Sequence, residues 1–502
     1  MNRTKMIVKA SFVSLFMYAI TAVLAMLRTR VFIRIYGSAS NGAMQLSNQI
    51  FNYLLILESG LGAAYLYKMY KPFEEKNLKK INALYKGLSI SLKRIAKIMF
   101  LVLLVTSFAY PLLVKDNTLS YLKIALILLS IGVRNIIPYY FYLSKKNLLY
   151  AYEKKYYVDF IDGMVNILTF TIEIILCKLK IDLLITLSVG IVIFYLANNI
   201  YNYILNKSCK EVIKENEKPS FEGNSMTKDI LVHQISSTVN SATDTIILSI
   251  MDTLNSVTIY NAYNTIITFP IKIISKLVDN LRASIGKKII NDLEGTYKVF
   301  NETLALNFFL SAIMTPLFIL LANDFITIWI GKEYTLDILC VSAFGLLLVH
   351  RTIMPVVYVA RDSKGLYKES KNYTLMQTIA NIVISLLLVH KLGILGLLLG
   401  TLVSTYFILI PFNYNLVYKK VFNKKNVLIL KLILNIIYIV VLTFLMFKFN
   451  EFINIAANTS WFNFITKGII DGLIVVSITF ILKYLTDEDF RSVLKRFLKF
   501  KK

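Results

Sequence analysis

Long apolar runs separated by short polar connectors occupy nearly the whole chain. A helix needs about 20 apolar residues to cross the ~30 Å hydrocarbon core of a bilayer, so runs of this length predict transmembrane helices. Fourteen such runs lie near residues 10–36, 42–67, 98–114, 119–143, 157–177, 181–205, 230–251, 256–280, 300–322, 335–360, 373–390, 393–418, 427–448 and 462–485. The pattern therefore predicts an all-α integral membrane protein with about fourteen transmembrane helices.

The connectors between these runs alternate in charge. Odd-numbered connectors, such as residues 37–41 and 252–253, carry few basic residues, whereas even-numbered connectors are rich in lysine and arginine. Residues 68–97 alone contain nine basic residues. Basic connectors stay on the cytoplasmic side of a membrane. We therefore expect a multi-pass protein of the cytoplasmic membrane with both termini in the cytoplasm.

A polar stretch at residues 206–229 separates six predicted helices from the next six and predicts a cytoplasmic linker. We expect a six-helix N-terminal lobe at residues 1–205 and a six-helix C-terminal lobe at residues 230–418. Two additional transmembrane helices are predicted within residues 419–485. Residues 486–502 have the pattern of an amphipathic basic helix, which is predicted to form a cytoplasmic tail on the inner membrane surface.

An internal repeat supports the two-lobe organisation. The motif Arg134-Asn-Ile-Ile-Pro138 recurs in the second half of the chain as Arg351-Thr-Ile-Met-Pro355. The copies lie in the fourth and tenth predicted helices, an even number of helices apart, so both have the same orientation in the membrane. Such a parallel repeat predicts two lobes related by a pseudo-two-fold axis along the membrane normal, with a binding site between them.

Composition excludes the soluble classes. The chain has 502 residues, 56% of them hydrophobic, and a mean hydropathy of +0.61. Its net charge of +26 is spread over short clusters between apolar runs, which does not fit a nucleic-acid partner. The three cysteines have no disulfide or metal-site spacing, so we expect no bound metal and no cofactor.

The N-terminal region carries a family resemblance. Arg34-Ile-Tyr-Gly37, then Gly42, then Glu58-Ser-Gly60-Leu-Gly62 resembles the opening of bacterial polysaccharide (O-antigen) repeat-unit flippases of the multidrug/oligosaccharidyl-lipid/polysaccharide exporter superfamily. The resemblance implies a non-enzymatic carrier that moves an undecaprenyl-pyrophosphate-linked glycan from the inner to the outer leaflet by alternating access. It also implies the bacterial cytoplasmic membrane, membrane lipids as partners, and a polysaccharide polymerase and glycosyltransferases as candidate partners in O-antigen, capsule or exopolysaccharide assembly.

Three arginines in the outer half of the first helix, Arg28, Arg30 and Arg34, are the first candidates for substrate binding. Charges within a membrane span are energetically unfavourable and mark function by default. Guanidinium groups match phosphate oxygens by bidentate hydrogen bonds, so these arginines predict a cationic lining for an anionic substrate. The alternative is that they reach the outer headgroups, which suits Arg34 best. Helical geometry places Arg30 and Arg34 on one face and Arg28 on another.

Arg134, Arg351 and Lys272 are predicted to extend the same cationic cavity. Pro138 and Pro355 follow the two arginines by one helical turn, and each removes a helix hydrogen bond and permits a bend. The alternative for each arginine is a structural pair with a nearby carboxylate.

Five carboxylates are candidates for charge pairing, or for coupling to H⁺ or Na⁺ gradients. They are Asp159, Asp162, Glu173, Asp244 and Glu58. Membrane potential alone is a third source of driving force, because an anionic head that leaves a negative interior gains about 2.3 kcal/mol per charge per 100 mV.

Other functions remain open on the sequence. A lipid II flippase fits fourteen spans equally well, whereas a multidrug cation exporter of the same superfamily would need an acidic cavity. A membrane glycosyltransferase or polysaccharide polymerase usually has a substantial outer loop, and the longest outer connectors here have only about a dozen residues.

Overall fold

The computed structural model describes residues 3–58, 60–116, 118–226, 238, 243–425, 427–453 and 457–499. Every regular element among these residues is helical, which confirms the predicted all-α class. Contacts divide the chain into two compact units, Met1–Thr258 and Ile259–Lys502. This division falls within the predicted eighth helix, and helix 243–251 belongs to the first unit.

The first unit is built from ten helices and the beginning of an eleventh, counted over its described residues. They are α1 (Arg3–Tyr36), α2 (Ser38–Leu54), α3 (Leu61–Glu74), α4 (Leu78–Ala109), α5 (Tyr121–Phe141), α6 (Leu143–Ala151), α7 (Lys155–Lys178), α8 (Leu183–Ser208), α9 (Lys210–Lys214), α10 (243–251) and the start of α11 (Leu254–Asn291). Helix α1 packs along α7, while α5 packs against α2, α4 and α8. This arrangement places α1, α5, α7 and α8 around a shared interior.

The second unit contains the rest of α11 and the remaining helices. They are α12 (Leu293–Trp329), α13 (Ile338–Ser363), α14 (Tyr367–Ser404), α15 (Ile410–Leu416), α16 (Leu428–Ile453), α17 (Trp461–Thr486) and α18 (Glu488–Lys499). Helix α12 is central, because α13, α16, α17 and α18 all pack against it.

Ten described helices are long and apolar enough to cross a membrane, and the count is eleven if the bent pair α2–α3 forms one span. One of the ten, Glu369–Val421, covers the predicted spans 373–390 and 393–418. It contains a helical hairpin, because Gly393 has a non-helical backbone (φ 52°, ψ −128°) and Thr401 packs back onto Asn381. Most of the predicted span 230–251 lies outside the described residues, so fourteen remains a prediction.

The helix of the third predicted span begins well before the apolar run. The sequence indicated a basic connector up to residue 97 and a helix over 98–114, but α4 begins at Leu78, where Asn77 caps it by accepting a hydrogen bond from the amide of Lys80. Apolar residues at helical spacing are completely buried in this stretch, including Ile81, Leu84 and Leu88. The lysines lie on the opposite face, so the helix extends beyond the apolar run.

The predicted second span is interrupted. Helix α2 ends at Leu54, and α3 restarts at Leu61 at a bend of 45°. Gly60 adopts the left-handed conformation (φ +75°), which favours glycine. Glu58 accepts a hydrogen bond from the amide of Gly62 at 2.9 Å, so its carboxylate caps the start of α3. The suggested pairing of Glu58 with an arginine of α1 is absent from the described residues.

The internal repeat is visible in the helix boundaries. Helices α5 and α13 begin at equivalent positions of the repeat, Tyr121 and Ile338, and the preceding Ser120 and Asp337 cap them with side-chain oxygens. The two prolines behave differently. Helix α5 stops at Phe141, less than one turn after Pro138, whereas α13 continues to Ser363 past Pro355.

The C-terminal helix α18 forms as predicted, and part of its apolar face packs against the protein. Phe490 and Val493 are buried within the protein, and the Phe490 ring packs 4.8 Å from Phe309 and 5.9 Å from Phe480. Glu302 of α12 lies beneath the helix, 5% exposed. A buried carboxylate needs partners, and this one attracts α18 into the second unit.

Two polar residues of α18 should account for this docking. Ser492 donates a hydrogen bond to Glu302 at 2.6 Å, and Arg496 forms an ion pair with it at 2.9 Å. The double replacement Ser492→Ala/Arg496→Ala should reduce the free energy of unfolding by about 1–3 kcal/mol, because it leaves a buried acceptor unpaired. Thermal unfolding in detergent measures this change. The control is Arg491→Ala, since the ion pair of Arg491 among the described residues is with the exposed Glu488. Equal effects of both changes would contradict the buried pairing.

Candidate functional site: a buried cationic triad

Two arginines and one glutamate meet inside the first unit. Glu173 of α7 has no exposed surface. Its Oε2 accepts a hydrogen bond from Nε of Arg28 on α1, and its Oε1 lies 3.4 Å from Nη1 of Arg134 on α5. Both arginine side chains are nearly buried, 12% and 10% exposed. One carboxylate therefore pairs with two guanidinium groups, so the triad has a net positive charge.

The triad lies at membrane depth on the predicted topology. Arg134 is in the second half of α5, which starts at Tyr121, and Arg28 is in the last quarter of α1, which ends at Tyr36. At the helical rise of about 1.5 Å per residue, they lie about 20 Å and about 12 Å from these outer helix ends. Both depths fall within the ~30 Å hydrocarbon core.

Aromatic rings provide part of the cation binding. The Arg28 guanidinium lies 4.4 Å from the ring centre of Phe32 and 5.5 Å from that of Phe170. Arg134 lies 5.7 Å from the ring centre of Phe194 on α8. Each such contact stabilises a desolvated cation by roughly 0.5–2 kcal/mol. Four helices thus contribute to holding the two charges.

Helix α8 packs against Arg134 and Glu173 at Gly190. A Cβ atom at this position would lie 2.9 Å from Cδ of Arg134 and 3.3 Å from Oε1 of Glu173. The absence of a side chain lets α8 approach the charged groups closely.

Two N–H donors of the triad make no hydrogen bond: Nη2 of Arg28 and Nε of Arg134 are buried without an acceptor among the described residues. An excess positive charge with spare N–H groups suits an anionic ligand.

Arg30 and Arg34 lie on a different face of α1 from Arg28. Arg30 is half-buried and Arg34 is exposed. Neither has a carboxylate within 4 Å in the part of the chain that the structure describes. Arg34 lines a cavity of about 420 Å³ together with Lys123, Lys180 and Asp182. The second half of α1 therefore carries two cations without an ion-pair partner among the described residues.

The second unit lacks a matching triad in its described residues. Nη1 of Arg351 donates a hydrogen bond to Oδ1 of Asn264 on α11 at 2.7 Å. Lys272, two turns further along α11, is exposed. The repeat offset equates Glu173 with His390, which is exposed at the hairpin of α14. The two repeated arginines therefore have different partners, a carboxylate for Arg134 and an amide for Arg351.

The remaining candidate carboxylates lie away from the triad. Asp159 accepts a hydrogen bond from Ser14 and pairs with Lys155. Asp162 pairs with Lys146 at 2.7 Å and accepts a hydrogen bond from the Tyr201 hydroxyl at 2.7 Å. Asp244 is buried in α10. Of the four carboxylates considered as partners for Arg134, Glu173 is the one that contacts it.

Sequence reasoning missed an acidic site in the last two membrane helices. Asp471 of α17 is fully buried, and its Oδ2 accepts a hydrogen bond from Nδ2 of Asn450 on α16 at 3.0 Å. One helical turn away, Lys467 pairs with Asp324 of α12 at 2.9 Å. The signal was present, because Asp471 is the lone acidic residue in the apolar run 462–485.

No protein-family model matches the sequence, and no curated protein sequence matches it significantly. Solved structures do match. The lipid II flippase MurJ in an inward closed conformation superposes with a TM-score of 0.70 at 14% identity, covering 95% of this chain and 99% of that one. An inward-facing MATE-family multidrug transporter of the MOP superfamily gives 0.61 at 13% identity over 78% and 94%. The eukaryotic MATE transporter AtDTX14 gives 0.51 at 14% identity over 80% and 93%. The chain is thus a multi-pass membrane protein with the two-lobed fold that MurJ shares with MATE transporters of the MOP superfamily.

Proposed function

We propose that the protein is a flippase for an undecaprenyl-pyrophosphate-linked oligosaccharide. It would carry this lipid-linked repeat unit from the inner to the outer leaflet of the bacterial cytoplasmic membrane, for assembly of O-antigen, capsule or exopolysaccharide. The observation that carries the proposal is the cationic character of the membrane interior of the first unit. Two arginines share one buried carboxylate there, and Arg30 and Arg34 have no carboxylate partner among the described residues.

The chemistry of the substrate supports this assignment. A pyrophosphate carries several negative charges into a medium where each uncompensated charge is strongly disfavoured. Arginine offers a fixed positive charge and a planar fork of donors that matches phosphate oxygens. The lipid tail would stay in the bilayer, so the protein would need to accommodate the charged head and its sugars alone.

Alternating access supplies the implied mechanism, as the internal repeat predicts. Glu173 would hold Arg28 and Arg134 in fixed positions, with their unused N–H groups available to the pyrophosphate. Arg30 and Arg34 would provide further contacts along its path. Export of an anionic head from a negative cytoplasm is favoured by about 2.3 kcal/mol per charge per 100 mV if its charge is not neutralised. Coupling to H⁺ or Na⁺ remains a proposal, for which the buried Asp471 is a further candidate.

A lipid II flippase is the second candidate. The similarity to MurJ covers 95% of this chain, which favours this function. Its substrate has the same pyrophosphate linkage, so the same arginines would serve. A multidrug cation exporter has the fold but receives less support, because arginines would repel a cationic drug.

Arg30 provides the test. In proteoliposomes loaded with a fluorescent undecaprenyl-pyrophosphate oligosaccharide, Arg30→Ala should slow translocation roughly tenfold to a hundredfold, the loss expected for a charge-assisted hydrogen bond. Arg30→Lys should recover part of the rate, because charge remains without the bidentate fork. Lys79→Ala, at the exposed cytoplasmic end of α4, is the matched control.

Parallel assays with lipid II and with a cationic dye identify the substrate. Translocation of lipid II alone would favour the second candidate. Transport of the dye with no effect of Arg30→Ala would overturn the flippase proposal.

A further inference from the structure

An apolar groove lies between α4 and α5 on the surface of the first unit. It has a volume of about 430 Å³ and nine lining residues, of which Lys97 is the charged one. Phe100 and Leu101 of α4 form one wall and are 41% and 62% exposed. Val133 and Ile137 of α5 contribute to the other wall. Exposed apolar surface of this kind is filled by lipid in a membrane.

The groove has one polar end. Helices α4 and α5 are antiparallel neighbours, and on the predicted topology Lys97, Tyr140 and Phe141 lie at its cytoplasmic mouth. Leu101 and Val133 lie at the opposite, deeper end. The shape is that of a lipid in the inner leaflet, with a polar head at the surface and an apolar tail below.

Lys97 lines the mouth of the groove, and two further lysines lie near it. Lys93 is one turn before Lys97 on the same face of α4, and its Nζ lies 5.9 Å from the ring centre of Tyr140. Lys145 of α6 is held by Oδ1 of Asn198 and of Asn202. No carboxylate lies within 4 Å of these lysines among the described residues.

Lys93 and Lys145 repel each other. Burial lowers the pKa of Lys145 to about 8, and the nearby Lys93 contributes to this lowering. An anion at this mouth would relieve the repulsion.

We propose that this groove binds an anionic glycerophospholipid of the inner leaflet, with its phosphate at Lys93 and Lys97 and one acyl chain along Phe100, Leu101 and Val133. The site is separate from the flippase function proposed above. The depth of the groove indicates which lipid fits it. From Lys93 to Leu101 the helix rises about 12 Å, which fits within one leaflet of about 15 Å. An undecaprenyl tail is far longer than this groove.

The bound lipid would pack against the helix that carries the triad. Val133 and Ile137 flank Arg134 and Pro138 in the sequence of α5. A lipid in the groove would support α5 from outside, while Glu173 holds Arg134 from inside.

Native mass spectrometry of the purified full-length chain tests the site, with phosphatidylglycerol and phosphatidylcholine as probes. The wild-type protein should bind phosphatidylglycerol more tightly. Lys93→Gln/Lys97→Gln should weaken phosphatidylglycerol binding by about fivefold per lysine and leave phosphatidylcholine binding unchanged. The control Lys79→Gln/Lys207→Gln removes the same charge from exposed positions elsewhere on the cytoplasmic side and should bind like wild type.

A second variant tests the apolar part of the groove. Leu101→Trp fills it from the exposed side and should weaken binding of both lipids, while size-exclusion profiles show that the protein still folds. Equal affinities for the two lipids in the wild-type protein would overturn the proposal. So would equal effects of the two lysine pairs, unchanged binding in Leu101→Trp, or displacement of phosphatidylglycerol by equimolar undecaprenyl phosphate.

Discussion

Glu173→Ala should destabilise the protein by about 3–5 kcal/mol. The replacement leaves Arg28 and Arg134 buried together with no carboxylate, so each loses its partner and repels the other. The cation–π contacts with Phe32, Phe170 and Phe194 offset only part of this energy. Thermal unfolding in detergent, followed by fluorescence-detected size exclusion, measures the loss.

The matched control is Glu75→Ala. Glu75 pairs with Lys71 at 3.7 Å, but both side chains are exposed, so the pair contributes at most about 1 kcal/mol. A Glu173→Ala protein as stable as the Glu75→Ala protein would mean that the triad is hydrated or satisfied by other groups.

Removal of the whole triad separates stability from function. A buried ion triad can be replaced by apolar residues of similar volume with little loss of stability. The variant Arg28→Met/Arg134→Met/Glu173→Leu should therefore regain stability relative to Glu173→Ala, yet translocate no lipid-linked oligosaccharide. A stable triple variant with wild-type translocation would show that the triad serves packing alone.

The sequence could predict the parts of this site that depend on local geometry. Helical spacing separates Arg28 from Arg30 and Arg34, and the structure places Arg28 on the face that meets α7. The repeat of Arg134 and Arg351 predicts equivalent helices, and α5 and α13 begin at the equivalent positions. Helical periodicity and internal repeats are visible in the amino-acid sequence itself, so they can be predicted without a structure.

Partners across the fold could not be predicted in the same way. Arg28 and Glu173 are far apart in the sequence, and the sequence offers four carboxylates as candidate partners of Arg134. The repeat also suggested equal environments for Arg134 and Arg351, but Asn264 rather than a carboxylate contacts Arg351. Packing decides which polar groups meet, and a repeat in one helix does not extend to its neighbours.

Misplaced boundaries have a different cause. Basic residues before residue 98 favour a connector in the sequence pattern, but Ile81, Leu84 and Leu88 have helical spacing and are buried in α4. The amphipathic pattern of α18 likewise gives no sign that Glu302 lies beneath the helix. Amphipathic patterns predict a helix and its apolar face, but they do not identify what covers that face.

The turn between α1 and α2, which is predicted to lie on the outer side of the membrane, packs against the start of α11, within residues 1–258. The Thr258 hydroxyl donates a hydrogen bond to the carbonyl of Ser38 at 2.7 Å and accepts one from Nδ2 of Asn41 at 3.3 Å. A Cβ atom at Gly42 would lie 2.0 Å from the carbonyl oxygen of Leu254. This contact thus depends on a glycine, because a backbone carbonyl cannot move aside as a flexible side chain can.

Gly42→Ala should therefore prevent this contact and slow translocation roughly tenfold to a hundredfold, given an overpacking penalty of about 1–3 kcal/mol. A cysteine introduced by Ser38→Cys should react faster with an impermeant thiol reagent outside the cell in this background. Gly472→Ala is the control, because nothing lies within 4 Å of the Cβ position there.

The pair Asn41→Cys/Thr258→Cys should form a disulfide that blocks translocation until it is reduced. If Gly42→Ala translocates like the control and the disulfide leaves export intact, these turns stay together throughout transport and do not act as a gate.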